Sequence, residues 1–149
     1  MAMLAADAIT DMKTTSNTLS FWVIDSIDAL DDVVVALATG SKITSLEAMD
    51  LVWVDEASLI NDGFEVRSSL GDTAATILAD THRDVCSLTY SSLGQLAMTV
   101  FQSINAEQCK KVSKPDVKKC VERFYRSGGI NMGRCSEKLA EQIKKIIAP

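Results

Sequence analysis

Aromatic residues are scarce in this chain, at 5% of 149 residues, so any core must be built from Ala, Val, Leu, Ile and Met. There is one histidine, His82, and no Cys-x-x-Cys pair, which removes the usual zinc spacings. The four cysteines, Cys86, Cys109, Cys120 and Cys135, therefore read as small apolar residues, reduced in a cytosolic setting. The opening stretch "MAMLAADAITDMK" lacks a basic n-region, and Asp7 and Asp11 interrupt its apolar run, so no signal peptide is expected there. Charge is missing from Val85 to Ala106, long enough for a bilayer span. Serines, threonines and amides fill that run, which excludes a lipid-facing helix. No membrane association and a cytoplasmic location are the resulting expectations.

What is present points to an α+β chain, a single domain over residues 1–149, with a small mostly antiparallel sheet in the first half packed against a helical second half. "TLSFWVI", Thr18 to Ile24, is β-branched and aromatic, and reads as a buried strand. Asp25 or Ser26 can cap a helix carrying Ile27, Leu30, Val34 and Leu37 and ending before Gly40. "DLVWVDE" is strand-like, and Asp62-Gly63 starts a second alternating run through Phe64 and Val66. "MLAADAITDM" has the composition of an extra helix.

In the second half, apolar residues from Val85 to Ile104 keep helical spacing. Thr81 followed by Asp84 resembles a capping box, so a long central helix is expected from His82 to Ile104, about 34 Å in length, with Leu96, Ala97, Val100 and Phe101 buried. Asn105 and Gln108 suggest a short helix next. Ser113, Pro115 and Asp116 open another, with Val117, Cys120, Val121, Phe124 and Tyr125 on one stripe and a stop at Gly128-Gly129. A last helix carries Cys135, Leu139, Ile143, Ile146 and Ile147 on its inner face.

Three stretches resemble chemistry, and each has a plainer reading. In "THRDVCS", His82 and Cys86 would share a helix face and could meet, the alternative being a small Cys/His enzyme. No glycine-rich loop directly precedes them to form an oxyanion hole, so a helix start is the better reading. Gly40-Ser41-Lys42 resembles part of a phosphate loop, but Val35 stands where the Walker pattern needs glycine. The pairs Asp31-Asp32 and Asp55-Glu56 lack a partnering motif and read as solvated acids. Neither catalysis nor any cofactor or metal is expected.

The most unusual feature is the distribution of charge. Residues 1 to 104 hold 15 acids and 4 bases, whereas residues 105 to 149 hold 5 acids and 11 bases. One consequence is that the two parts attract each other; another is an acidic surface that steers a basic partner. The second leads to a protein-binding module that takes a basic protein, of the class of small acidic immunity proteins and antitoxins that neutralise toxic nucleases in bacterial competition. Its expected contact residues are Asp28, Asp31, Asp32, Asp55, Glu56, Asp62 and Glu65, with Trp53 as an aromatic anchor. The alternative is a nucleic-acid binder using Lys110, Lys111, Lys114, Lys118, Lys119, Arg123 and Arg126 and the helices over 114–147, which the pI near 4.8 opposes.

Overall fold

The computed structural model describes residues 17–148. The elements in chain order are β1 (Leu19–Trp22), α1 (Leu30–Ala38), β2 (Met49–Val52), α2 (Glu56–Asn61), β3 (Glu65–Ser68), β4 (His82–Cys86), α3 (Tyr90–Asn105), β5 (Cys109–Val112), α4 (Lys114–Arg126) and α5 (Glu137–Ile147). Short 3-10 turns stand at Ile27–Ala29, Thr76–Thr81 and Met132–Arg134. The protein is α+β, with small antiparallel sheets and a largely helical second half. The helix expected from "MLAADAITDM" lies outside the described residues.

The described residues form two compact units, each assembled from separate stretches: residues 17–21, 51–68 and 83–110 make the first, and 22–50, 69–82 and 111–148 the second. In the first, β3 and β4 pair antiparallel, with Val66 opposite Val85 and Arg67 opposite Asp84. β4 is the central strand of the order β1-β4-β3, while β2 and β5 form a separate two-stranded sheet. The core of this unit is Leu59, Phe64, Val85, Leu88 and Leu96, with Leu19, Phe21, Val54, Val66 and Leu93 packed around it. These residues come from β1, β3 and β4, from α2 and α3, and from the connections that hold Val54, Phe64 and Leu88, so helix, sheet and loop close one shared apolar interior.

The second unit is helical. α4 packs on both α1 and α5. Val34, Val35, Val117, Val121, Leu139 and Ile143 are almost fully buried. A loop segment, Thr73 to Ala75, is buried in this unit, and its polar groups are paired. Thr39 Oγ1 donates to the Val35 carbonyl at 2.8 Å and lies 2.9 Å from Thr73 Oγ1. The Ala74 amide donates to the Thr39 carbonyl at 2.8 Å, and the Asn131 amide to the Ala74 carbonyl at 2.8 Å. No buried side-chain polar atom among the described residues lacks a partner.

Several expectations are corrected. Residues 82–86 are a strand, not the start of the long helix. The helix begins at Tyr90, where Thr89 and Ser92 cap each other reciprocally: the Ser92 amide donates to Thr89 Oγ1 at 3.2 Å and the Thr89 amide to Ser92 Oγ at 2.8 Å. Ser87, at φ 55, breaks the path between strand and helix. Thr81 instead closes the preceding 3-10 turn on the Leu78 carbonyl. Leu96 and Ala97 are buried as expected, but Val100 and Phe101 are only half-buried.

The Asn105–Gln108 pattern ends α3 and does not start a helix. The Gln108 amide donates to the Ser103 carbonyl at 2.8 Å and the Glu107 amide to the Ile104 carbonyl at 3.0 Å, with Glu107 at φ 60. That is a Schellman ending, and strand β5 follows it. The strands are thus shared between the two halves of the sequence, because β4 and β5 both come after residue 80. Asp62-Gly63 joins α2 to β3 rather than two strands. Ile27 and Leu37, expected inside, are exposed, and Cys135 precedes α5 rather than lying on it. Ser113 caps α4 and Gly128, at φ 78, ends it, as the sequence suggests.

Candidate functional site

The eight expected contact residues fall into different units: Asp28, Asp31 and Asp32 in the second, and Trp53, Asp55, Glu56, Asp62 and Glu65 in the first.

Within the first unit, α2 is a short helix held by a single buried residue, Leu59. Asp55 caps it, accepting from the Ser58 amide at 2.8 Å and the Ser58 hydroxyl at 2.7 Å, which holds its carboxyl below the usual carboxylate range. Glu56 pairs with Arg83 at 3.5 Å. The Glu65 carboxylate accepts from Ser87 Oγ at 2.7 Å and pairs with Arg67, and both donors depress its pKa. Asp62 is exposed at the end of α2, and Trp53 is half-buried with its amide donating to the Gln108 carbonyl. Ile60, on the same short helix as Glu56, stands 54% exposed, an apolar surface residue that sequence periodicity did not single out.

In the second unit, Asp31 accepts from Arg123 Nη2 at 2.8 Å, so it is engaged with α4. Asp32 lies one residue on and lines a cleft of about 110 Å³ with Trp22, Val23, Ile24, Asp25, Val33 and Leu78 among its walls. The Val23 amide donating to the Thr81 carbonyl at 2.8 Å fixes one wall, and Ala29 of the preceding turn with Val33 and Ala36 of α1 supplies another. Most of the lining residues are apolar, and the two acids among them, Asp25 and Asp32, are exposed. Asp28 and the half-exposed Ile27 belong to the adjoining turn. The sequence marked Asp25 only as a possible cap. Its place in the cleft depends on residues 22–36 meeting Leu78 and Thr81, which no local pattern reports.

The histidine is not part of that cleft's lining. His82 is 9% exposed, its Nδ1 lies 2.8 Å from Ser69 Oγ, and its ring meets the Trp22 indole edge-on at 5.0 Å between centroids. Gly71 completes this packing, because a Cβ there would run into the indole and approach His82 Cβ to 3.0 Å. The thiol of Cys86 donates to the Asp84 carbonyl at 3.5 Å. On an extended strand, residues four apart are separated by about 13 Å, so the helical Cys–His contact does not form. At the resembled phosphate loop, the Ser41 amide and hydroxyl already donate to the Asp72 carboxylate, the hydroxyl at 2.7 Å.

Among the described residues, no group of three or more metal-ligating side chains gathers, and no helix is long and apolar enough to cross a membrane. No protein-family model, curated protein or solved structure matches the chain.

Proposed function

We propose that the protein is a small protein-binding module for a basic partner, acting as an immunity protein or antitoxin does when it covers a toxic nuclease. The observation that carries this reading is the cleft of the second unit, whose mostly apolar lining includes the exposed acids Asp25 and Asp32. A lysine or arginine side chain has the matching chemistry: an aliphatic stem that packs on apolar walls and a cation that pairs with carboxylates. In the first unit, Ile60 and Glu56 on one short helix again bring an apolar side chain and a carboxylate to the surface. An apolar contact within a charged surround suits protein recognition, where the charges steer the encounter and apolar contact slows release.

The basic C-terminal helices fit this reading better than they fit nucleic-acid binding. Lys114 pairs with Glu47 at 3.0 Å and Arg123 with Asp31 at 2.8 Å. Lys119 and Arg126 pair with Asp116 and Glu122 on their own helix. These cations are directed at acids of the same unit, which reduces what they offer to phosphates.

The test is capture from the native host on immobilised protein, wild type against Asp25→Asn/Asp32→Asn, with mass spectrometry of what is retained. A basic protein held by the wild type and lost from the double variant supports the proposal. Equal retention by both removes the cleft from the account. Nucleic acid as the retained species replaces the proposal with the alternative.

A further inference from the structure

On the reading of the second unit's cleft as the contact for a basic protein, we infer that it receives arginine, with Trp22 selecting the guanidinium over the ammonium of lysine. The cleft holds about 110 Å³, well below the roughly 300–1,000 Å³ of sites that take a whole small molecule, so it suits one side chain. Its two acids are also unengaged. Asp31 is held by Arg123, Glu47 by Lys114 and Asp72 by Ser41, whereas Asp25 and Asp32 accept no hydrogen bond from any described residue.

Among the described residues that line the cleft, Trp22 alone is aromatic. Its indole is held at the benzene end. A Cβ on Gly71 would run into Cη2 and come within 2.7 Å of Cζ3, and the His82 ring meets the indole edge-on at 5.0 Å between centroids. His82 is itself fixed, with Nδ1 2.8 Å from Ser69 Oγ. The other end of the indole is open. Nε1 has no hydrogen-bond partner among the described residues, and no buried side-chain polar atom there lacks one, so Nε1 stands in solvent. A ring anchored in this way needs little ordering when a cation arrives.

Two carboxylates attract either cation; the aromatic wall tells them apart. A guanidinium is planar, stacks on aromatic faces, is weakly hydrated and carries a rigid fork of N–H donors for the two acids. An ammonium is a compact, strongly hydrated charge that must shed more water to enter a mostly apolar cleft. Tryptophan is the strongest aromatic partner for a cation. Gly71 is then a positioning residue: it does not line the cleft, and it acts by leaving room for the indole.

The test is nuclear magnetic resonance of the full chain, titrated with a Gly-Ser peptide that carries one arginine or one lysine. The Trp22 indole N–H signal, assigned by its loss in Trp22→Leu, reports binding. The arginine peptide should bind at least about fivefold more tightly than the lysine peptide. Trp22→Leu keeps an apolar wall and should bring the two affinities together, followed there through the backbone amides of the cleft. Gly71→Ala displaces the indole and touches neither carboxylate, so it should lower the arginine affinity and spare that for lysine. Asp25→Asn/Asp32→Asn should weaken both. Equal affinities in the wild type, or a preference that survives Trp22→Leu, would overturn the inference and leave the cleft a site for either cation. Binding of neither peptide, or binding that Asp25→Asn/Asp32→Asn does not weaken, would overturn the inference and the reading of the cleft together. If Trp22→Leu or Gly71→Ala loses the signal dispersion of a folded chain, the wild-type comparison of the two peptides decides alone.

Discussion

α3 and α4, the longest helices of the two units, end in the same hydrogen-bond pattern but are built from opposite materials. In α4 the Gly129 amide donates to the Phe124 carbonyl at 3.0 Å and the Gly128 amide to the Tyr125 carbonyl at 2.8 Å, repeating the ending of α3. There the left-handed position is Gly128, whereas in α3 it is Glu107. α4 is crossed by ion pairs, and α3 has no charge along its length. The units differ in the same way. In the second, residues 22–50 and 69–82 bring eight acids and one base against the ten bases and four acids of 111–149, leaving a net of −1. The described residues of the first hold six acids and three bases. Charge that looks segregated along the sequence is therefore largely balanced within the second unit, and the uncompensated excess lies in the first.

The largest expected effects probe whether the two interiors are equally well packed. Leu96 in the first unit and Leu139 in the second are both fully buried. Leu96→Ala and Leu139→Ala should each cost about 2–5 kcal/mol by denaturant unfolding, because each leaves a cavity that its neighbours fill only in part. Trp53 reports on the first unit and Trp22 on the second, so single-tryptophan backgrounds assign each loss. A cost under about 1 kcal/mol at either site would mean that its core is loose.

Thr89→Ala should cost about 1 kcal/mol, since it removes one half of the reciprocal cap on α3. This is where the sequence was least legible. Thr81-x-x-Asp84 imitates a capping box, while the working pair, Thr89 and Ser92, lacks the Glu or Gln that marks one. The strand β4 was hidden for a related reason: in "HRDVC" the spacing of His82, Val85 and Leu88 also fits a helix, and only pairing with β3 decides. By contrast the α4 signals, Ser113, Pro115, Asp116 and Gly128-Gly129, are local and were readable. The acidic character was readable too. The cleft was not, since Asp25, Asp32 and Leu78 meet only through the fold.

Smaller effects come from the helix endings. Glu107→Gly should stabilise the first unit by up to about 1 kcal/mol, because glycine adopts φ 60 without the clash a Cβ brings. Gly128→Ala should destabilise the second by about the same amount. Equal and near-zero shifts for the pair would show that the shared ending is not under conformational strain.

The smallest expected effect is on acid stability. Lys114 and Ser45 hold the Glu47 carboxyl below its usual range. A carboxyl with a folded pKa below its unfolded value contributes stability that is full above the unfolded pKa and is lost as pH falls through the folded one. Urea midpoints measured downward from about pH 5 should therefore fall less steeply for Glu47→Gln than for the wild type. Because Glu47 is exposed the difference is small, and identical profiles would mean that the Lys114 pair contributes nothing.

The central claim is that the carboxylates of the second unit's cleft receive a basic protein. Its most direct test is the association rate with the captured partner, measured across a salt series for the wild type and for Asp25→Asn/Asp32→Asn. A fast rate that falls steeply as salt rises, with a lower rate and a shallower slope in the double variant, is the expected result, since steering is screened beyond about 8–10 Å at physiological ionic strength. Rates that are independent of salt and equal in the two proteins would contradict it.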